Sequence, residues 1–346
     1  MRNIWAFQRW WAIPKKAISK TIRDKISKKI QGWRGMLLSK AGREVLIKAV
    51  AQSIPTYTMS VFKLPGNFSN ELRSLVSSFW WGSEGGKRKI PWIAWDKLCE
   101  PKCKGGLGFR DYQKFNRALL GKQAWRLITN DDCLMSRVIG SKYFPNSSFL
   151  ESNLGANPSY TWRGIWEARE VVKLGLRKRI GNGLNTFVWT DAWIPGTQSG
   201  MVLSPRGSAH VEMRVSDLID AGRQKWVQSL FLPFEQDRIL GIRLSPNKPD
   251  DSWCWDPEKD GNYSVKSAYK LLTENSTETD GPSDFARERW LWNKIWSAPV
   301  LPRIKLFFSG NYARKPWLRT LILLDALGAQ KKHAQYGLRR RRRACT

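Results

Sequence analysis

Pairs of neighbouring carboxylates are the residues of this sequence that could most directly do chemistry. Asp131 and Asp132 form one pair, and Asp250 and Asp251 form a second pair ahead of a predicted strand. Two-metal phosphoryl transfer needs several carboxylates that together hold two ions, and each pair lacks further partners. We therefore interpret both pairs as turns. Asp191 stands between two tryptophans, and we expect it to accept hydrogen bonds from backbone or indole N–H groups rather than to act as a base.

Cysteine and histidine would offer a different chemistry, through a bound metal. Cys99 and Cys103 have a spacing that could begin a zinc site, but zinc needs four converging ligands, and His210 and His333 are remote in sequence. We therefore expect no metal site. The five cysteines are odd in number and scattered, which is typical of free thiols in a reducing compartment. The glycine cluster at 105–108 lacks the Lys-Ser/Thr ending of a phosphate loop and predicts a backbone turn.

The charge of the chain indicates binding rather than catalysis. Its 59 lysines and arginines outnumber 29 acidic residues, which gives a net charge of +30 over 346 residues, and the excess is concentrated at the two ends. A field of this sign attracts phosphate polymers or anionic membrane surfaces. No apolar run is long enough to span a membrane. We expect the partner to be an RNA or DNA backbone, and the alternative is a basic protein that binds neither.

Helices in the first 150 residues are the elements that would present this charge. Isoleucines recur every four residues from Ile18 to Ile30, which predicts an apolar stripe with lysines around it. Three further helices are predicted from one start or stop residue each: Ser39, Gly82 and Asp111. The candidate phosphate contacts of this region are Lys25, Lys28, Lys29, Arg34, Lys40, Arg43 and Lys48. The basic start of the chain also resembles a transit peptide in composition, but we favour an ordinary amphipathic helix.

The remainder of the chain is predicted to be mixed. A strand, a turn and a second strand are expected over 179–189, and another hairpin is expected over 253–265. The fold class is therefore α+β, mainly α. Its predicted segments are a helical thumb-like or connector-like region at 1–150, a mixed connector at 151–250 with a loop at 196–212, a partial C-terminal domain at 251–308 and a divergent basic tail at 309–346. The tail adds candidate nucleic-acid contacts at Arg339, Arg340, Arg341, Arg342 and Arg343.

Several short motifs occur in an order that resembles one known family. Among them are Leu38-Ser39-Lys40-Ala41-Gly42-Arg43, Phe79-Trp80-Trp81-Gly82, Trp92-Ile93-Ala94-Trp95, Gly105-Gly106-Leu107-Gly108-Phe109 and Trp189-Thr190-Asp191-Ala192-Trp193. Over about residues 18–308 the sequence resembles the region behind the polymerase core of plant LINE-type (non-LTR) retrotransposon reverse-transcriptase polyproteins. Two later motifs resemble the start of that family's reverse-transcriptase zinc-binding domain: Tyr263-Ser264-Val265-Lys266-Ser267 and Trp292-Asn293-Lys294-Ile295-Trp296.

This resemblance implies a thumb and connector that grip template and primer. Proteins of that family also have an endonuclease, a polymerase palm with paired aspartates and often a ribonuclease H domain, and none of these is recognisable here. The family's Cys-x2-Cys zinc pair does not follow Phe308, where the sequence departs from the pattern. The resemblance therefore implies a truncated zinc domain that holds no metal or other cofactor, and no catalytic residues.

These observations predict a non-catalytic retroelement remnant that binds RNA or DNA non-specifically. We expect it in the nucleus or cytoplasm, without secretion or a membrane partner. Two alternatives stay open. The chain is either an inert or protein-interaction remnant with no nucleic-acid role, or an accessory to a reverse transcriptase or ribonuclease H supplied in trans.

Overall fold

The computed structural model describes residues 15–36, 38–84, 87–130, 132–197, 200–205, 212–220, 223–274, 282–297 and 305. Helices dominate, and the strands of the described residues form two short antiparallel pairs, which confirms the α+β, mainly α, fold class. The chain divides into two compact units whose segments alternate along the sequence. Unit 1 contains Met1–Tyr57, Leu64–Gln113 and Thr277–Thr346, and unit 2 contains Thr58–Lys63 and Lys114–Ser276.

The elements are numbered in chain order. The helices are α1 (Lys15–Arg34), α2 (Lys40–Leu46), α3 (Thr56–Met59), α4 (Gly66–Trp81), α5 (Trp95–Cys99), α6 (Tyr112–Thr129), α7 (Leu134–Tyr143), α8 (Tyr160–Lys173), α9 (Val215–Asp220), α10 (Arg223–Leu230), α11 (Pro233–Leu240), α12 (Val265–Glu274) and α13 (Pro282–Ser297). Helix α2 continues into a π-helical turn, Ile47–Ala51, and a 3-10 turn spans Lys102–Lys104. The strands are β1 (Ser83–Glu84), β2 (Lys87–Arg88), β3 (Leu176–Arg179) and β4 (Ser252–Trp255).

The isoleucine stripe of α1 forms as its spacing predicts. Ile22, Ile26 and Ile30 are buried, and α1 packs against α4 and the π-helical turn. Residues four apart lie on one helix face, and Lys20, Lys25, Lys28 and Lys29 are exposed outside this stripe. The predicted amphipathic helix is confirmed, and its basic side faces solvent.

The ends of the neighbouring helices also follow the sequence signals. The Ser39 hydroxyl accepts a hydrogen bond from the Gly42 amide at 3.2 Å and so caps the N-terminus of α2. Helix α4 ends at Trp81, where Gly82 has φ +87°. A left-handed φ is costly for residues with a Cβ, so Gly82 provides the predicted stop. Helix α6 begins directly after Asp111.

An aromatic group occupies the core of unit 1. The Trp95 ring stacks on the Phe109 ring with centroids 5.0 Å apart, and the Trp80 ring meets Phe109 edge-on at 5.3 Å. Offset-stacked and edge-on aromatic pairs are favourable beyond the area that they bury. This core fixes the C-terminal end of α4, which carries Trp80 and Trp81.

Unit 2 is held by a strand pair between distant segments and by two apolar clusters. Strand β3 pairs antiparallel with β4, and Leu176 lies opposite Trp255. One cluster gathers around Trp162 and Trp255, and the other gathers around Trp193 and residues of α9 to α11.

Both predicted hairpins are wrong. Strand β3 does not pair with 186–189 but with β4, more than seventy positions further along the chain. The reason is Asp251, which accepts hydrogen bonds from the Gly181, Gly183 and Asn185 amides and from the Thr186 hydroxyl. The intervening loop thus wraps around a carboxylate, and the chain returns to β3 only at Ala192, whose carbonyl accepts from the Lys178 amide at 2.7 Å. The segment after β4 enters helix α12 at Val265.

Candidate nucleic-acid interface

The exposed side of α1 carries three of the predicted phosphate contacts. Lys25, Lys28 and Lys29, named here the basic face, are exposed, whereas the isoleucines of the same helix are buried. None of the three makes an ion pair within the part of the chain that the structure describes. Like charges spaced three and four residues apart on a helix repel by a few tenths of a kcal/mol, roughly. The basic face is therefore an arrangement that a polyanion would stabilise.

A second group of cations lines a cavity near the C-terminal end of α4. Its larger part has a volume of about 410 Å³ and is lined by Leu38, Lys40, Arg43, Trp81, Lys89, Ile90 and Trp92. An adjoining part of about 160 Å³ is lined by Trp33, Arg34, Arg43, Ser78, Phe79, Trp81, Gly82 and Lys89. We name the two parts together the aromatic cleft. The described residues of its lining include four cations and no carboxylate, so their field favours an anion.

Lys40 illustrates the chemistry of the cleft. Its ammonium donates to the Trp80 carbonyl at 2.8 Å and lies 4.9 Å and 5.2 Å from the ring centroids of Trp80 and Trp81. The residue as a whole is exposed, but its charged end is partly shielded by these rings. Burial, followed by repulsion from Arg43 and Lys89, lowers the pKa of Lys40 to about 8. Part of the cationic character of the cleft is therefore lost just above neutral pH.

The two arginines of the cleft have donors to spare. Arg43 donates to the Trp80 carbonyl at 3.4 Å and lies 5.9 Å from the Phe79 ring centroid, and Arg34 reaches the Ser78 hydroxyl at 3.5 Å. A guanidinium has five N–H donors in a planar fork that matches phosphate. One long hydrogen bond each leaves most of these donors available.

Lys48 differs from the other predicted contacts. Its ammonium pairs with the Glu44 carboxylate at 2.6 Å and donates to the Leu107 carbonyl at 2.5 Å, and the residue is half-buried. These bonds tie α2 to the turn before Phe109. Lys48 therefore has a packing role that competes with any contact to phosphate. The tail residues Arg339–Arg343 lie outside the described residues.

Part of the cleft was not predicted from the sequence. Lys89, Trp81 and Trp92 were not predicted as contacts, yet they line it beside Lys40 and Arg43. Trp92 is 76% exposed and Ile90 is 77% exposed, which is unusual for such apolar side chains. The basic run at 87–89, followed closely by a tryptophan, was the signal in the sequence.

The candidate chemical residues outside the cleft have structural partners. Asp191 accepts from the Phe187 amide at 2.8 Å and from the Lys178 ammonium at 2.9 Å, so its predicted acceptor role is confirmed. Among the described residues Cys99 and Cys103 form no disulfide, and Gly105 has φ +83° at the end of a 3-10 turn, as a backbone turn requires. Within the described ranges, three or more potential metal ligands do not come together. None of the helices described combines the length and apolar character needed to cross a bilayer.

Comparison with known proteins places the chain in a family. No protein-family model matches the sequence. An uncharacterized mitochondrial protein of Arabidopsis thaliana is 48% identical over 143 residues, which make up 41% of this chain and 93% of that protein. The chain belongs to the family of that mitochondrial protein.

A longer relative extends the comparison. A second Arabidopsis thaliana protein, named "Putative ribonuclease H protein", is 31% identical over 312 residues, which cover 84% of this chain. The match covers 48% of that relative, so the chain spans about half of its length. Together the two relatives indicate a plant retroelement-derived protein.

Proposed function

We propose that this retroelement-derived chain is a non-catalytic remnant of a LINE-type reverse-transcriptase polyprotein that binds the backbone of RNA or DNA without sequence selectivity. The observation that carries the proposal is the aromatic cleft, where Arg34, Lys40, Arg43 and Lys89 meet and the described lining residues include no carboxylate. The basic face of α1, in the same unit, adds three exposed lysines. Phosphate contacts of this kind give affinity and orientation but carry no sequence information.

The absence of catalysis is part of the proposal. Two carboxylates considered for chemistry already accept other hydrogen bonds: Asp251 from three amides and a hydroxyl, and Asp191 from an amide and an ammonium. Such bonds fix a loop, whereas two-metal chemistry needs carboxylates that converge on open positions. The name of the longer relative favours one second candidate, an accessory role beside a ribonuclease H or reverse transcriptase supplied in trans.

The test measures binding of the full chain to a fluorescent RNA–DNA hybrid by anisotropy across a salt series. We expect log affinity to fall with log salt by about 0.9 for each duplex phosphate that is neutralised. The variant Lys25→Gln/Lys28→Gln/Lys29→Gln should bind more weakly and with a smaller slope. A second variant with Arg339–Arg343 changed to Gln separates the contribution of the tail.

The matched control removes three exposed lysines of unit 2, Lys122, Lys259 and Lys266, and so changes the net charge by the same amount. If this control weakens binding as much as the α1 variant, only net charge matters and the proposed interface is wrong. If the tail variant abolishes binding altogether, the basic face and the aromatic cleft have no nucleic-acid role. Stimulation of ribonuclease H in trans by a chain that does not itself bind would favour the accessory role.

A further inference from the structure

The aromatic cleft combines two kinds of surface. The ammonium of Lys40 and the guanidinium of Arg43 lie near the Trp80 carbonyl. The lining also includes Ile90 and Trp92, which have more than three quarters of their surface in solvent. Binding of a backbone phosphate alone would use the cations but not an exposed indole next to them. A ligand that has an anionic group beside a flat apolar face would use both the cations and the indole.

An unpaired nucleotide has this combination. Its phosphate provides the anion, and its base provides a π-face that stacks on aromatic side chains without regard to sequence. In a duplex the base faces are covered by their neighbours, so an indole at the protein surface cannot stack on them. A cavity of about 410 Å³ is within the usual size range of small-ligand sites.

The buried wall of the cleft offers a further polar group. The indole nitrogen of Trp81, which belongs to the lining of both parts, is buried and has no hydrogen-bond partner among the described residues. Buried indole N–H groups usually find an acceptor. Bases and phosphates both supply acceptors.

We propose that the aromatic cleft binds an unpaired nucleotide of single-stranded RNA or DNA, with the base stacked on Trp92 and the phosphate held by Lys40, Arg43 and Lys89. This inference rests on the proposed function and refines it: the basic face accepts any phosphate backbone, and the cleft prefers a single strand. Trp92 therefore provides the selectivity for a single strand, and the lysines and arginines provide the affinity for any phosphate backbone.

The test compares the affinities of the full-length wild type and Trp92→Ala for a single-stranded oligonucleotide and for an RNA–DNA hybrid of the same length. We expect a loss of roughly 5- to 150-fold for the single strand, the range for removal of one base–aromatic stack, and little change for the hybrid. Trp92→Tyr keeps a stacking ring and should retain most of the affinity. Because Trp92 is exposed, the Tm of each variant should match the wild type.

Trp290→Ala is the matched control, because Trp290 is 58% exposed in the same unit and is not in the cleft lining. It should leave both affinities unchanged. If Trp92→Ala weakens both ligands equally or neither of them, the cleft does not select single strands, although the proposed function stands. If Trp92→Ala leaves nucleic-acid binding intact but abolishes self-association, the exposed face is a protein contact and the inference is overturned. If the wild type binds neither oligonucleotide, the proposed function fails as well.

Discussion

Asp251 shows how one side chain can organise a loop. One carboxylate oxygen accepts from the Gly181 and Gly183 amides at 2.8 Å and 2.9 Å, and the other accepts from the Asn185 amide at 3.1 Å and the Thr186 hydroxyl at 2.7 Å. Burial alone would raise the pKa of Asp251, but these four hydrogen bonds outweigh it and hold the pKa below its ordinary value. The ionised form is therefore the one that the folded unit stabilises.

We predict that Asp251→Asn destabilises unit 2 by about 2 kcal/mol at neutral pH, a typical contribution of hydrogen bonds to a charged group. The amide would turn N–H donors toward other donors. Because the folded pKa of Asp251 is depressed, its contribution is present above the ordinary pKa of 3.8 and is lost as pH falls through the folded value. Urea unfolding at pH values from 7 down to 3 should show that the difference in the free energy of unfolding between wild type and variant becomes smaller.

The neighbouring carboxylate provides the control for this prediction. Asp250 is exposed and accepts one bond, from the Asn182 amide side chain at 2.8 Å. Asp250→Asn should change the free energy of unfolding by less than about 0.5 kcal/mol, as most surface substitutions do. Equal changes in the free energy of unfolding at both positions would contradict the conclusion that the Asp251 carboxylate stabilises the loop.

Lys40 gives the cleft a pH dependence. Its pKa of about 8 means that it loses its charge between pH 7 and pH 9, whereas ordinary lysines keep theirs. We predict that affinity for single-stranded DNA falls as pH rises through 8, because a phosphate contact is lost. Bound phosphate favours the charged form, so binding at pH 8.5 should take up protons, which calorimetry in buffers of different ionisation enthalpy detects.

Two variants separate Lys40 from the other cations in this prediction. Lys40→Arg keeps its charge at pH 9, so its affinity for single-stranded DNA should not fall between pH 7 and pH 9. Lys40→Gln should bind single-stranded DNA weakly at every pH. A decline that persists unchanged in Lys40→Arg would assign the titration to another group.

Prediction of the cleft from sequence was partial for a physical reason. Arg34 lies on α1, whose apolar side is marked by the isoleucine stripe, and Lys40 and Arg43 lie on α2, whose start is marked by Ser39, so local signals identify all three. Lys89 and Trp92 reach the same cavity only because unit 1 brings a later segment against α2. That approach is a tertiary contact, which periodicity does not encode.

At the scale of elements, the difference between local signals and tertiary contacts separates the helices, which could be predicted, from the strand pairing, which could not. Helices α1, α2 and α4 were predictable, since their apolar spacing and end signals lie within the elements themselves. The partner of β3 could not be predicted in this way, because a strand makes its hydrogen bonds with another segment of the chain, here β4. Tight-turn glycines near 181–183 suggested a local hairpin, and the Asp251 contact directs that turn elsewhere.

Helix α6 has a glycine where packing, rather than flexibility, requires one. A Cβ at Gly121 would lie 2.2 Å from the Tyr263 hydroxyl, which donates to the Ala118 carbonyl at 2.8 Å. Gly121→Ala ordinarily gains about 1 kcal/mol inside a helix. We predict a net loss of about 1–3 kcal/mol instead, the usual cost of overpacking, measured by urea unfolding.

A double-mutant cycle tests the cause of this loss. In a Tyr263→Phe background the closest atom is gone, so Gly121→Ala should cost less, with a coupling of about 0.5–3 kcal/mol. Gly140→Ala in α7 is the control, since its nearest neighbour, Phe144, is 3.5 Å away. That variant should be neutral or stabilising, and an equal loss there would point to helix effects rather than to Tyr263.

At the scale of the whole molecule, the net charge of +30 acts on stability as well as on binding. Like charges repel within a folded chain, and salt screens that repulsion. Salt also weakens ion pairs such as the one at 2.8 Å between Arg73 and Asp96, but exposed pairs contribute only about 0–1 kcal/mol each. With 59 basic and 29 acidic residues, repulsion should be the larger effect.

We therefore predict that raising NaCl from about 10 to 150 mM, where the screening length falls from about 30 to 8 Å, increases the Tm while it weakens nucleic-acid binding. Lys25→Gln/Lys28→Gln/Lys29→Gln should be more thermostable than the wild type at low salt and should gain less from added salt. Sucrose in place of NaCl controls for general solute effects, because it does not screen charge. A Tm that falls with salt would mean that attraction within ion pairs outweighs repulsion among like charges. The charge of the basic face would then be neutralised within the protein and would not be available to a polyanion.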